Sequence, residues 1–154
     1  MRSMLLSLRP DVFNNVASGK KIYEHRKVFP NEPIKAYIYV SRPVQAISGI
    51  MYLDNKTSLE EWKSTYSYDK EAVIRINEYM SRNAYAMQIL KFQNTNQIEL
   101  AELREFDPKF LIPQMYYFLD NTELLRFLNN RLIPCGDVIQ HDFTNITSDM
   151  ICRY

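Results

Sequence analysis

Residues 19–26 space a glycine, a lysine, a glutamate and an arginine as Gly19-x-Lys21-x-x-Glu24-x-Arg26. A lysine and an arginine together can hold a phosphate or a developing oxyanion, the arginine through two parallel hydrogen bonds. A glutamate between them can accept from the exocyclic amine of a base, or carry a proton if its pKa is displaced. A lysine desolvated beside an arginine can lose its proton and act as base or nucleophile. Two duller readings stand beside these. The charges are either solvated on a surface strand, or Glu24 and Arg26 form a barrel-closing ion pair with no ligand.

The elements around the motif decide where these groups point. Met4 to Leu8 reads as a short buried strand, and Pro10 suits the first position of a helix striped by Val12, Phe13, Val16 and Ala17. Gly19 is a natural helix stop. The charged stretch then reads as a strand, with Ile22, Glu24, Arg26 and Val28 on one face and Tyr23, His25, Lys27 and Phe29 on the other. An opposite-charge pair two apart tolerates apolar neighbours because it neutralises itself. His25, on the other face, reads as a packing or surface residue.

Further along, Lys35 to Ser41 and Val44 to Leu53 read as strands, with a bend or bulge at Gly49 and a loop at Asp54-Asn55-Lys56. Ser58 and Glu61 form a capping-box pattern ahead of Trp62, and a second helix starts near Asp69. Tyr85 to Phe92 and Ile98 to Leu103 read as strands around a turn at Asn94-Thr95-Asn96. An aromatic stretch, Phe110 to Phe118, precedes a helix capped by Asp120 or Asn121. The last twenty residues read as an extra strand or a loosely held tail. Short strands with a helical insertion predict an α+β domain built on a small, bent β-barrel with flanking helices.

Composition narrows the function. Three glycines in 154 residues nearly exclude a glycine-rich phosphate loop, and no apolar run reaches membrane-spanning length. The N-terminus lacks a secretory pattern, so a cytoplasmic protein is expected. Two cysteines and two histidines in no ligand spacing predict neither a metal nor another cofactor. The net charge is only +1, yet residues 1–50 carry eight Lys/Arg against three acids. Such a basic half suits an anionic ligand held at one site better than wholesale wrapping of DNA.

Other candidates are weaker. Arg9 and Arg42 each adjoin a proline and sit at loop rims, able to reach phosphates or equally to lie solvated. Ser7 and Ser41 have no His/Asp companions, which argues against a serine triad. Tyr37 and Tyr39 alternate on a strand and either stack on a base or fill the core. Trp62 and Tyr66 read as packing, and His141 is assigned no role.

Leu6-Ser7-Leu8-Arg9-Pro10, the helix after it and the Gly-x-Lys-x-x-Glu-x-Arg motif resemble the hallmark of the ASCH domain, a PUA-like family named for the activating signal cointegrator. Tyr37-Ile38-Tyr39-Val40-Ser41, Pro43-Val44, Gly49, Leu100-x-x-Leu103 and Pro113-Gln114 continue the likeness over roughly residues 4–118. The domain is therefore expected over 1–118, with a C-terminal helix and extension over 119–154 packed on it. The resemblance implies a cleft lined by Lys21, Glu24 and Arg26, with Ser7, Arg9 and Ser41 completing its wall and Arg42 nearby. It also implies binding of RNA or a modified nucleotide, often by coregulators of transcription or translation, without a membrane; protein partners stay open. Some members are hydrolases, either ribonucleases or amidohydrolases that deacylate N4-acylcytidine, which would make Lys21 and Glu24 catalytic. The amidohydrolase branch carries a threonine where this chain has Glu24 and a second carboxylate from later in the chain. Glu71, Glu78 and Glu99 are the acids on offer, and none lies in a recognisable motif.

Overall fold

The central strand, β3 (Ile34–Val40), is buried at every position but Lys35 because both of its faces are covered. The computed structural model describes all 154 residues. β1 (Arg2–Leu8) runs parallel to β3 on one side, and β4 (Ala46–Ser58) runs antiparallel on the other. β5 (Tyr85–Glu99) pairs with β4, and β2 (Tyr23–Arg26) pairs with β5 at the sheet edge. β6 (Tyr116–Phe118) flanks β1, and β7 (Ile139–Gln140) adds to β5. The order is thus β2-β5-β4-β3-β1-β6, an α+β half-barrel.

The parallel β1–β3 pair needs a crossover, and α1 (Pro10–Ala17) with β2 supplies it. Alternation along β3 divides the core. Ile34, Ala36, Ile38 and Val40 face a cluster with Met4, Leu6, Met87 and Phe92, which α1 covers through Val16 and Phe13. Tyr37 and Tyr39 face a second cluster roofed by α4 (Leu100–Phe106) and α5 (Glu123–Arg131). A third surrounds Trp62, between β2 and the pair α2 (Leu59–Thr65) and α3 (Lys70–Met80). Residues 119–154 enter these clusters too, with Leu119 and Leu128 in the second and Ile151 and Cys152 in the third.

Capping follows the sequence in part. The Ser58 hydroxyl accepts from the Glu61 N–H, and Asp69 caps α3 by accepting from Glu71 and Ala72. Thr122, rather than Asp120 or Asn121, caps α5 by accepting from the Leu125 N–H. Asn121 instead takes a positive φ of 60° just before it.

Several expected boundaries move. β2 ends at Arg26, so its alternation stops there: Val28 is exposed and Phe29 packs in the first cluster. Asp54-Asn55-Lys56 is not a loop: β4 continues through it by a register shift, with Asn55 at a φ of 56°. Asn94-Thr95-Asn96 is not a turn but part of the fifteen-residue β5. Asn94 and Asn96 hydrogen-bond outward to Cys135 and Ile133, so the chain after α5 satisfies the backbone there. Leu100 to Leu103 is helical rather than a strand, in keeping with the three-residue spacing of its leucines.

Gly49 sits at a register shift, where a Cβ would lie 2.7 Å from Cε1 and Cζ of the Phe92 ring. That ring is fully buried in the first cluster and has little room to retreat. Gly49→Ala is expected to destabilise the fold by about 1–3 kcal/mol, seen as a lower urea midpoint at unchanged slope.

Candidate functional site

The chain enters the site by ending a helix. Gly19 takes a φ of 82°, and the Lys21 N–H donates back to the Asn15 carbonyl at 2.9 Å, turning the Lys21 side chain inward. β2 then delivers Glu24 and Arg26 two residues apart. Lys21 and Glu24 are only 3% and 4% exposed, so the motif is not a solvated surface strand.

Lys21 Nζ donates to the Tyr154 main-chain oxygen at 2.8 Å and lies 3.7 Å from Glu24 Oε1. That same carboxylate oxygen accepts from the His25 N–H at 3.0 Å. Arg26 Nη2 lies 3.7 Å from Glu24 Oε2 and donates to the Ser7 carbonyl at 3.1 Å. This last bond ties the edge strand β2 to the end of β1, drawing together two strands that are not neighbours in the sheet. Glu24 Oε2 and Arg26 Nε are buried without a hydrogen-bond partner in the protein.

Burial lowers the Lys21 pKa, with Arg26 adding to the effect and Glu24 opposing it. His25 is held well below its ordinary pKa by burial and then by the Lys21 charge. Its ring packs edge-on to Tyr79 at 4.8 Å and lies near Trp62, and both of its nitrogens lack a protein partner. Burial pushes the Cys152 thiol up to about 12, which leaves it an inert packing group.

These groups open onto a cleft of about 630 Å³. Ser7, Arg9 and Ser41 line it with Lys21, Glu24 and Arg26, as do His25, Tyr79, Arg82, Asn83, Gln114 and Tyr154. Arg42 is the expected residue that does not line it; it is exposed on the turn after Ser41. Glu24 is the cleft's one side-chain carboxylate. Glu71 and Glu99 are exposed elsewhere, and Glu78 borders an adjoining shelf beside Arg82. A larger hollow of about 750 Å³ between α4, β6 and α5 is mainly apolar, with its charges limited to Asp107, Lys109 and Glu123.

No protein-family model matches the chain. It is 26% identical over 135 residues to a curated Zymomonas mobilis protein named ASCH domain-containing ribonuclease, covering 83% of this chain and 91% of that one. The crystal structure of ASCH from Zymomonas mobilis matches with a TM-score of 0.67 at 24% identity, covering 86% of this chain and 96% of that one. The chain is thus similar in sequence and in fold to the ASCH protein of Zymomonas mobilis. A single-residue variant of the Zymomonas protein also matches, with a TM-score of 0.62 at 24% identity, covering 84% of this chain and 96% of that one.

Within this ASCH fold, sequence reasoning missed the α3 end and the tail. Tyr79, Arg82 and Asn83 come from the last turn of α3 and just after it, and no pattern in the sequence ties them to residues 21–26. Tyr154 reaches the cleft because Ile151 and Cys152 anchor the tail in the third cluster. No group of three His, Cys, Asp or Glu stands close enough to hold a metal, and no helix is long and apolar enough to cross a membrane.

Two predictions test the charge arrangement. Glu24→Gln leaves Lys21 and Arg26 without their shared counter-charge and is expected to cost about 3 kcal/mol in urea unfolding, partly recovered by adding Lys21→Met. Wild-type stability in Glu24→Gln alone would show that the carboxylate is dispensable to the fold. For His25 the folded pKa is depressed. Below the ordinary histidine pKa the unfolded chain therefore binds more protons, and stability falls with acidification by up to about 1.4 kcal/mol per pH unit. His25→Phe is expected to flatten that acid limb between about pH 6.5 and the depressed folded value; an unchanged limb would assign it to other groups.

Proposed function

We propose that the cleft binds RNA, or a single modified nucleotide, through Lys21, Glu24 and Arg26. One observation carries this reading: four cationic side chains, Arg9, Lys21, Arg26 and Arg82, line the cleft against the single carboxylate of Glu24. Arg9 also lies 3.5 Å from Asp11 at the rim, but both side chains are exposed and the pair is weak. The excess positive charge suits phosphate, and the unpartnered Glu24 Oε2 suits the amino edge of a base. Ser7 and Ser41 add polar contacts along the wall, while Arg42 belongs to the outer rim. A place in transcription or translation control depends on which RNA is taken.

A second reading, catalysis in the same cleft, is favoured by the lowered basicity of Lys21 and by the name of the Zymomonas relative. A neutral Lys21 would accept the ribose 2′-hydroxyl proton while the 2′-oxygen bonds to phosphorus. The bond to the 5′-oxygen breaks and that oxygen takes a proton from water, whose hydroxide then takes the proton held on Lys21, leaving a 2′,3′-cyclic phosphate and a 5′-hydroxyl. Arg26 would stabilise the charge that develops on the phosphoryl oxygens. Phosphodiester cleavage fits better than deacylation of N4-acylcytidine, since no second side-chain carboxylate lines the cleft.

Anisotropy of short labelled RNAs across a salt series separates these readings. Wild type is expected to bind with an affinity that falls as salt rises. Lys21→Ala is expected to bind at least about tenfold more weakly if the lysine contacts phosphate. Retained binding with loss of cleavage, followed on a gel, would assign Lys21 to catalysis. No binding by wild type at low salt would overturn the RNA reading.

A further inference from the structure

A second hollow, of about 300 Å³ and lined by both polar and apolar groups, lies on the other face of the sheet and shares no lining residue with the cleft. Two cross-strand rows form its floor. Lys35 on β3 stands opposite Tyr52 on β4, which stands opposite Lys91 on β5. In the next row Tyr37, Ile50 and Gln93 stand opposite one another in the same order. Alternation along β3 explains the placement: Ile34, Ala36 and Ile38 enter the first cluster, so Lys35 and Tyr37 point the other way. Leu132 and Pro134, just beyond α5, wall the hollow.

The two lysines flank the Tyr52 strand, so strand spacing puts their Cα atoms about 10 Å apart. Neither ammonium has a carboxylate within 4.0 Å. Each lies instead over a ring, Lys35 Nζ at 5.3 Å from the Tyr37 centroid and Lys91 Nζ at 4.5 Å from that of Tyr52. The next residue along the row, Gln140 on β7, is neutral. Two ammonium groups converging on one hollow with no anion between them leave room and charge for an anion there. The floor also offers base-pairing chemistry. Gln93 donates its amide to main-chain carbonyls and keeps its side-chain oxygen as an acceptor. Asn129 accepts from the Tyr37 hydroxyl and keeps its amide as a donor.

We propose that this hollow is a second anion site that takes one nucleotide unit, its phosphate between Lys35 and Lys91 and its base against Leu132 and Pro134. Gln93 and Asn129 then meet the base edge with one acceptor and one donor. The nucleotide is either free or part of a bound strand, and the site stands independently of the cleft.

Amide NMR titrations of the full chain test this with uridine and adenosine monophosphate and, separately, a short single-stranded RNA. Wild type, Lys35→Gln/Lys91→Gln and Lys21→Ala are compared; the native spectrum of each variant confirms folding. The amides of Thr95 and Asn129 are expected to shift, with affinity falling at least about tenfold in the double variant and holding in Lys21→Ala. Shifts with the monophosphates identify a free nucleotide, and shifts with RNA alone identify a nucleotide within a strand; either supports the site. No shift with any probe, or equal titration in the double variant, would overturn it. Failure of the cleft reading is seen separately, as unmoved amides at residues 21–26.

Discussion

The structure depends on placing two cations and one carboxylate at the end of a hydrophobic core. Charges this buried are tolerated only when they are paired and hydrogen-bonded. Glu24 meets the requirement by lying between Lys21 and Arg26, and each cation then finds a main-chain oxygen, of Tyr154 and Ser7. The arrangement ties distant elements together. Arg26 reaches Ser7 only if β2 curls back to the end of β1, and Lys21 reaches Glu24 only if α1 stops at Gly19. The fold of the half-barrel and the geometry of the cleft therefore share one set of contacts.

The trio is not neutral. Its side chains set two cations against one anion, and the arginines at the cleft mouth add to the positive side-chain potential. The internal separations of 3.7 Å are ion pairs rather than hydrogen bonds. Donor and acceptor capacity is thus left unspent at Glu24 Oε2 and Arg26 Nε. A site evolved only for stability would place a second carboxylate here or close these distances. An excess charge with unspent hydrogen-bonding capacity suits an anionic ligand that also carries polar edges.

Much of this was legible locally. The spacing of Gly19, Lys21, Glu24 and Arg26 placed the charges, and the caps at Ser58 and Asp69 follow from the side-chain chemistry of serine and aspartate. The readings that failed did so where distant chain overrode local preference. Asn94-Thr95-Asn96 has turn composition, yet residues 133–135 pair with it and hold it extended. Asn55 tolerates a left-handed conformation, which let β4 pass through a segment that composition marks as a loop. His25 was legible as a packing residue, but its aromatic partners Trp62 and Tyr79 arrive from two helices far along the chain.

The tail shows how a feature invisible in local sequence completes the cleft without closing it. Cys152 and Tyr154 hold φ values of 53° and 59°, an unfavourable conformation for residues with a side chain. Burial of Ile151 and Cys152 in the third cluster offsets that strain and presents the Tyr154 oxygen to Lys21. An ammonium has three donors, and this oxygen takes one. The contact therefore fixes the direction of the lysine while leaving donors free toward Glu24 and the cleft. A buried lysine oriented in this way has already lost most of its rotamer freedom, so the contact fixes the cation's position rather than neutralising all of its donors.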